Sequence, residues 1–330
     1  MTIVSELPLV SSEQRSRILD APRTAKSHRE LLQSLPAMNA VQTGGEASEM
    51  SLPMGISAIA WNVERGLFPL ENAELMAVLK PDVVLLSEVD HGMARTSQQH
   101  TTEIMANALN MQYAFGLEFH ELDLGGPTER EFCTDNFNAR GWHGNAILSS
   151  VPFMDVKLIR LDDHGHWFSS DELDADPEQP RVGGRMAIAA ILPWNGGTIC
   201  VVSTHLESNA ESNHRATQFD HLLDEIDSFA PEMPVLIGGD LNTGNHQPPD
   251  FAWQSETLFE RAQARGYAWD ATPPGMTTRP SLITPHPDRQ MKLDWFCLRG
   301  LRCEDTALIR AINDTGKPLS DHEAIWCSVF

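Results

Sequence analysis

From Ile56 onward, short apolar runs recur along the chain: ISAIAWNV, DVVLLSEV, GNAILSS, MAIAAIL, TICVVSTHL, PVLIGGDL, LDWFCL and AIWCSV. Their length and β-branched content predict strands, and their near-continuous hydrophobicity predicts burial on both faces. Between some of them, ENAELMAVLK, TTEIMANALNM and HRATQFDHLLDEIDSFA repeat apolar residues at helical spacing. Strands interleaved with helices predict sheets whose outer faces are covered by helices. Three long stretches, about 116–143, 161–185 and 243–291, break the pattern. Loops of that length in a compact domain usually carry function, and their Gly, Pro, His and Trp content predicts ordered rim loops. Residues 1–50 are polar, with one amphipathic segment (SHRELLQSL) and a loop-like QTGGEASEMS. They predict a partly helical extension ahead of a main domain spanning 51–330. No internal repeat is present.

Composition narrows the class. Hydrophobic residues at 41% and charged residues at 21% describe an ordinary globular protein. Against 24 Lys+Arg stand 46 Asp+Glu, a net charge of -22. Basic and acidic residues nearly balance over 1–50, so the excess acid lies beyond them. A field of that sign disfavours a polyanionic partner, so no stable nucleic-acid complex is expected unless bound metal inverts it locally. Five cysteines form no CxxC pair, and Cys200, Cys297 and Cys327 fall inside strand-like runs. That usage fits a reducing compartment. With no signal-like N-terminus and no run long enough to span a membrane, a cytoplasmic location is expected. Oligomeric state has no signature.

The candidate chemistry lies where the apolar runs end. IAWNVE closes on Asn62 and Glu64, VVLLSEVD on Glu88, VVSTHLE on His205, and VLIGGDLN on Asp240 and Asn242. LDWFCL opens on Asp294, and the last run is entered through Asp321 and His322. If these strands share a sheet system, carboxylates, amides and two histidines converge at one edge. Oxygen-rich donors without cysteine suit Mg²⁺ or Mn²⁺, and metal-assisted phosphoester hydrolysis is the chemistry that such a set supports. Each residue alone has a plainer reading as a cap or turn residue, and Asp240 with Asn242 could form an Asx-turn. Arg140 and Arg185 are candidate phosphate ligands, because guanidinium forks match phosphate geometry. The rim histidines His143, His164 and His166 read as exposed loop residues, with a second metal or a substrate contact as the alternative.

Seven blocks, WNVERG, LLSEVD, GNAILSS, STHLES, GGDLNTG, KLDWFCL and SDHEAI, stand in an order that resembles the endonuclease/exonuclease/phosphatase superfamily. The resemblance covers about residues 56–330. It implies a deoxyribonuclease I-like α/β fold, a four-layer sandwich of two packed mixed sheets with helices outside and the site at one end. By position it implies Glu88 as principal metal ligand with Asn62 supporting it, Glu64 at a position often held by aspartate, and Asp321 beside the metal. Asp240 and Asn242 would orient the attacking water, Asp294 would pair with His322, His205 would contact phosphate, and Asn145 would contact substrate. A carboxylate beside His322 raises its pKa, so a cationic His322 is expected.

The rim segments are acidic (LDDHGHWFSSDELDADPEQP) or mixed in charge (TPPGMTTRPSLITPHPDRQMK). They favour a small phosphoester, such as a lipid head group or phosphometabolite, over DNA, whose nucleases present basic or aromatic elements. The alternatives are a DNA endonuclease or exonuclease and, in a different class, a non-catalytic binding module.

Overall fold

Strict alternation within the apolar runs sorts their side chains into separate cores. In the strand Ile56–Arg65, Ala58 and Ala60 enter one core while Ile59, Trp61 and Val63 enter another, as a period of two requires. Such a strand must be covered on both faces, and the whole architecture follows from that need.

The computed structural model describes residues 2–169, 181–194, 197–245, 252–287 and 290–330. In chain order the strands are β1 (Thr2–Val4), β2 (Ala40–Gly45), β3 (Ile56–Arg65), β4 (Val83–His91), β5 (Gln112–Glu121), β6 (Trp142–Ser149) and β7 (Asp155–Arg160). They continue with β8 (Arg181–Gly183), β9 (Met186–Trp194), β10 (Gly197–His205), β11 (Val235–Asp240), β12 (Asp294–Arg299), β13 (Cys303–Ile309) and β14 (Ala324–Val329). The α-helices are α1 (Ser12–Asp20), α2 (Ala25–Ser34), α3 (Pro69–Ala77), α4 (Thr101–Leu109), the single turn α5 (Pro127–Arg130), α6 (Ser212–Phe229) and α7 (Leu258–Ala264).

The first sheet runs β1-β2-β5-β6-β4-β3-β14-β13, with β8 added to β5; the second runs β12-β11-β10-β9-β7. Both mix parallel and antiparallel pairs. Ala60, Leu85, Ile147, Ile188, Val201, Leu236 and Phe296 fill the space between the sheets. Outside the first sheet lie Ile18, Leu31, Met76 and Met105 of α1 to α4; outside the second lie Phe219, Leu222 and Leu258 of α6 and α7. This is the expected four-layer sandwich. The sheets approach closely at Gly238 of β11, where a Cβ would lie 2.7 Å from Leu85 and 2.9 Å from Ala60. Only glycine lets β11 cross there.

All eight predicted apolar runs are strands, and the three predicted helical segments correspond to α3, α4 and α6. The amphipathic segment near residue 30 is α2, whose Leu31 and Leu32 are buried. Residues 2–45 do not stand apart from the main fold: β1 and β2 extend the first sheet, with β2 pairing antiparallel to β5. The stretch 116–143 is not all loop either. Its first part belongs to β5, where Glu118, His120 and Glu121 are buried rather than exposed, the two glutamates paired with Arg185 and Arg95. Of the stretch 161–185, residues 170–180 lie outside the described residues. Among the described residues, no helix is long and apolar enough to cross a membrane.

Candidate active site

Register places the site. On the second sheet β10 and β11 run parallel and β12 antiparallel, with His205 opposite Asp240 and Asp240 opposite Asp294. Three functional side chains thus stand in one row at one end of the sandwich. Asp240 Oδ2 lies 3.6 Å from His205 Nε2 and 3.6 Å from His322 Nε2, and it accepts a hydrogen bond of 3.1 Å from Asn62 Nδ2. His322 Nδ1 lies 2.8 Å from Asp294 Oδ2. Ligand atoms of Asp240, Asp294 and His322 fall within 4.8 Å of one another. Because Asp294 Oδ2 is committed to the imidazole, this trio is better described as an oriented histidine beside an acid than as a metal cage.

Burial works against charge on His322, yet Asp294, Asp240 and Asp321 override it and raise its pKa well above the usual histidine range. Burial raises Asp294 in turn, with His322 pulling the other way, and its Oδ1 has no hydrogen-bond partner among the described residues. The pair is a cation held by a carboxylate. Trp61 donates from Nε1 to the His322 carbonyl at 2.8 Å, and Ser320 Oγ donates to the Asn62 carbonyl at 2.7 Å. These bonds fasten the segment that carries His322 to β3 within the first sheet, while Asn62 to Asp240 and His322 to Asp294 bridge to the second.

Asp240 and Asn242 converge by a route other than strand alternation. The strand ends at Asp240, Asn242 takes a left-handed φ of 49°, and its backbone N–H donates to Asp240 Oδ1 at 2.9 Å. The Asx-turn is therefore real, and it fixes the catalytic-looking carboxylate rather than replacing it. The Asn242 amide donates to the Leu206 carbonyl at 3.0 Å, bracing the ends of β10 and β11 together.

The first sheet contributes through irregularity. Both β3 and β4 shift register where the polar residues begin, between Asn62 and Arg65 and between Leu86 and Val89. Glu64, Arg65 and Glu88 all have positive φ. Bulges of this kind re-aim side chains at the rim of a sheet. Glu88 is turned into the recess, where its carboxylate meets Arg65, whose Nε donates at 2.8 Å to Glu129 of α5. Glu64 turns elsewhere: its Oε1 accepts from Ser281 Oγ at 2.6 Å and Thr284 Oγ1 at 2.8 Å. Burial, reinforced by the Asp321 charge, pushes the Glu64 carboxyl up to about 8.

The recess between these ends encloses about 120 Å³ and is bordered by Glu88, Asp240, Asn242, Asp321, His205 and His322, with Arg185 on one wall and Thr278 to Thr284 on the other. Arg185 is buried, and its Nη1 lies 2.9 Å from Glu118 Oε1 and 3.0 Å from His205 Nδ1, while Nη2 donates to Ser208 Oγ at 3.0 Å. Although burial opposes it, His205 and Arg185 hold the Glu118 carboxyl well below the usual range.

Two sequence candidates do not reach the recess. Arg140 pairs with Glu6 at 2.6 Å and stacks over Trp142, so its guanidinium serves the N-terminal segment. Asn145 is fully buried in β6 and donates to the Met186 carbonyl at 3.0 Å, which makes it a support inside the sandwich. His143 is not a rim residue; it is buried in β6 against Asp90 at 2.8 Å. His164 is exposed, as expected. Sequence reasoning missed Arg65, Glu118, Arg279 and the hydroxyls of Ser281 and Thr284. Arg65 stands beside Glu64 in WNVERG, and the acid-rich EFHE of β5 was the available sign for Glu118.

A two-sheet sandwich that gathers acids, an amide and two histidines at one end has the architecture of the deoxyribonuclease I-like proteins. The chain belongs to the Endonuclease/Exonuclease/phosphatase family, whose model matches residues 59–322. Family members are generally hydrolases of phosphoester bonds and typically use divalent metals. Among solved structures, an endonuclease/exonuclease/phosphatase from Beutenbergia cavernae is similar at 19% identity and a TM-score of 0.58, covering 84% of this chain and 71% of that one. The human Nocturnin catalytic domain, solved with a bound sulfate anion, is similar at 17% identity and a TM-score of 0.55, covering 88% of this chain and 96% of that one. Truncated Caenorhabditis elegans TDP2 is similar at 18% identity and a TM-score of 0.51, covering 84% and 97%. At these identities the likeness shows the fold alone. No curated protein matches the chain significantly.

Proposed function

We propose that the chain is a divalent-metal-dependent phosphoester hydrolase acting on a compact phosphodiester or phosphomonoester, such as a lipid head group or a small phosphometabolite. The observation that carries this reading is the row His205, Asp240 and Asp294, with His322 held by Asp294, facing Glu88 and Asp321 across one recess. The donor set fits Mg²⁺ or Mn²⁺, because it is built of carboxylate and amide oxygens without thiolate. Glu88, Asp321 and Asp240, steadied by Asn62, are the residues that would hold the ion. Bound there, it would polarise a phosphoryl oxygen.

The remaining roles belong to the chain itself. Asp240 holds and orients a water, since its Oδ2 faces both imidazoles, and Asn242 keeps that carboxylate fixed through the turn. His322, kept cationic by its neighbours, offers Nε2–H to the oxygen on which charge accumulates. His205 and Arg185 present further donors from the opposite wall. A recess of about 120 Å³ accommodates a phosphoryl group and little more, being well below the roughly 300–1,000 Å³ of drug-sized pockets. The net charge of -22 favours such a substrate over a long polyanion.

The test is turnover of bis(4-nitrophenyl) phosphate with and without EDTA, run beside phospholipid, phosphometabolite and supercoiled-plasmid substrates. Turnover that EDTA abolishes and Mg²⁺ or Mn²⁺ restores, with a small phosphoester preferred, is the expected result. Plasmid nicking without turnover of the small substrates would replace this reading by a nuclease. Absence of both turnover and low-millimolar metal binding by calorimetry would leave a binding module.

A further inference from the structure

We propose that residues 2–45 form a built-in clamp for the active-site wall, with His28 as the positioning residue, an inference that rests on the phosphoesterase reading above. His28 lies on α2, is fully buried, and is bonded through both ring nitrogens to segments remote in sequence. Its Nδ1 lies 3.0 Å from the Asp163 carbonyl, which can only accept, so Nδ1 carries the proton. Its Nε2 accepts from the Gly183 backbone N–H at 3.0 Å. One neutral imidazole therefore joins the loop at 163–169 to β8.

Each joined segment ends on Arg185. Gly183 stands two residues before it, and the Gly184 N–H donates to the Glu118 carbonyl at 3.0 Å, fixing the chain as it enters the recess. From the other segment, Trp167 Nε1 donates at 3.1 Å to Glu207 Oε2, the oxygen that also lies 3.3 Å from Arg185 Nε. The Arg185 guanidinium sits 5.9 Å from the Trp167 ring centroid. The loop is shaped around the imidazole: Gly165 has φ +73°, and a Cβ there would lie 2.4 Å from His28 Cγ. Phe168 packs 5.7 Å from the same ring. Residues 2–45 thus set the position of the phosphate-facing guanidinium without touching substrate.

The test uses the whole chain with His28→Ala and Trp167→Phe, the second removing the indole donor to Glu207 together with part of the ring that faces Arg185. Three readouts are taken: amide exchange over 181–186, binding of inorganic phosphate in the presence of Mg²⁺, and the kinetics of bis(4-nitrophenyl) phosphate hydrolysis. His28→Ala is expected to speed exchange at Gly183 by about tenfold or more. It should weaken phosphate binding and raise KM by about tenfold each, with kcat held within about threefold, since uniform binding is what is lost. A folded His28→Ala protein with unchanged exchange, phosphate affinity and KM overturns the clamp, as does a fall in kcat alone. If His28→Ala does not fold, Trp167→Phe decides: weakened phosphate binding supports the clamp, and native affinity overturns it. Exchange and phosphate binding need no turnover, so a chain that hydrolyses nothing would remove the enzyme reading while leaving the clamp to be judged.

Discussion

On the second sheet, His205, Asp240 and Asp294 stand in one register row across three hydrogen-bonded strands. On the first, Asn62, Glu64 and Glu88 sit on two bulged strands, and both glutamates have positive φ. The second sheet's row is committed to partners from the first sheet and to its own turn: Asp294 to His322 ahead of β14, and Asp240 to Asn62 of β3 and the Asn242 N–H. The first sheet's acids have partners of their own, Glu88 meeting Arg65 at the recess and Glu64 meeting Ser281 and Thr284. Regular pairing suits groups whose mutual geometry must be fixed, such as a base, its orienter and a water. Bulged ends suit charges that must balance a mobile ion and a loop.

Breaking the regular half has the largest expected effect. Asp294→Asn leaves the shape of the row but removes the charge that orients His322, and kcat should fall roughly 10³-fold with little change in KM. Breaking the bulged half should show first in stability. Arg65→Met strips a buried cation from Glu88 and Glu129, and loss of one partner from such a network costs about 3 kcal/mol in denaturant titration. The downfield imidazole proton of His322 should persist in that variant, because the second sheet's row does not depend on Arg65.

Acid should sharpen the contrast. Burial pushes His91 of β4 and His120 of β5 down to about 3 from an ordinary 6.5. The unfolded chain then takes up these protons before the folded one does, so stability is full above about 6.5 and is lost as pH falls toward about 3. Thermal melts over that range should show a falling Tm, and amide exchange should rise in β4 and β5 before β10 to β12. The smallest effect belongs to Arg140, which lies outside the recess. Its pair with an exposed Glu6 is worth about 0.5 kcal/mol, so Arg140→Ala should keep activity within about twofold, checked in the same turnover assay.

The two halves also differed in how legible they were. Apolar runs with polar termini disclosed β10, β11, β12 and β14, because each is covered on both faces and ends abruptly at the site. His205, Asp240, Asp294 and His322 followed from those endings. Glu88 was found in the same way, but its partner Arg65 was not, since a bulge that turns Arg65 toward Glu88 leaves no periodic trace. Strands at and next to the sheet margins were hidden for a related reason. β2, β7 and β13 carry polar or half-exposed residues, and β5 carries buried acids whose partners come from distant segments. Arg140 was misplaced because a guanidinium in a loop before a strand gives no clue to the carboxylate it will meet, which here is Glu6.

In the proposed hydrolysis, Asp240 in its row with His205 and Asp294 is the group on which metal-assisted turnover depends. The most direct measurement is turnover of bis(4-nitrophenyl) phosphate by the unsubstituted protein and by Asp240→Asn across a Mg²⁺ titration, starting from EDTA-treated protein. Activity of the first protein is expected to rise from zero with metal. In the second a loss on the order of 10³-fold is expected at saturating metal, with the thermal melt unchanged. Full activity in Asp240→Asn, or turnover in EDTA equal to that in Mg²⁺, would contradict that dependence.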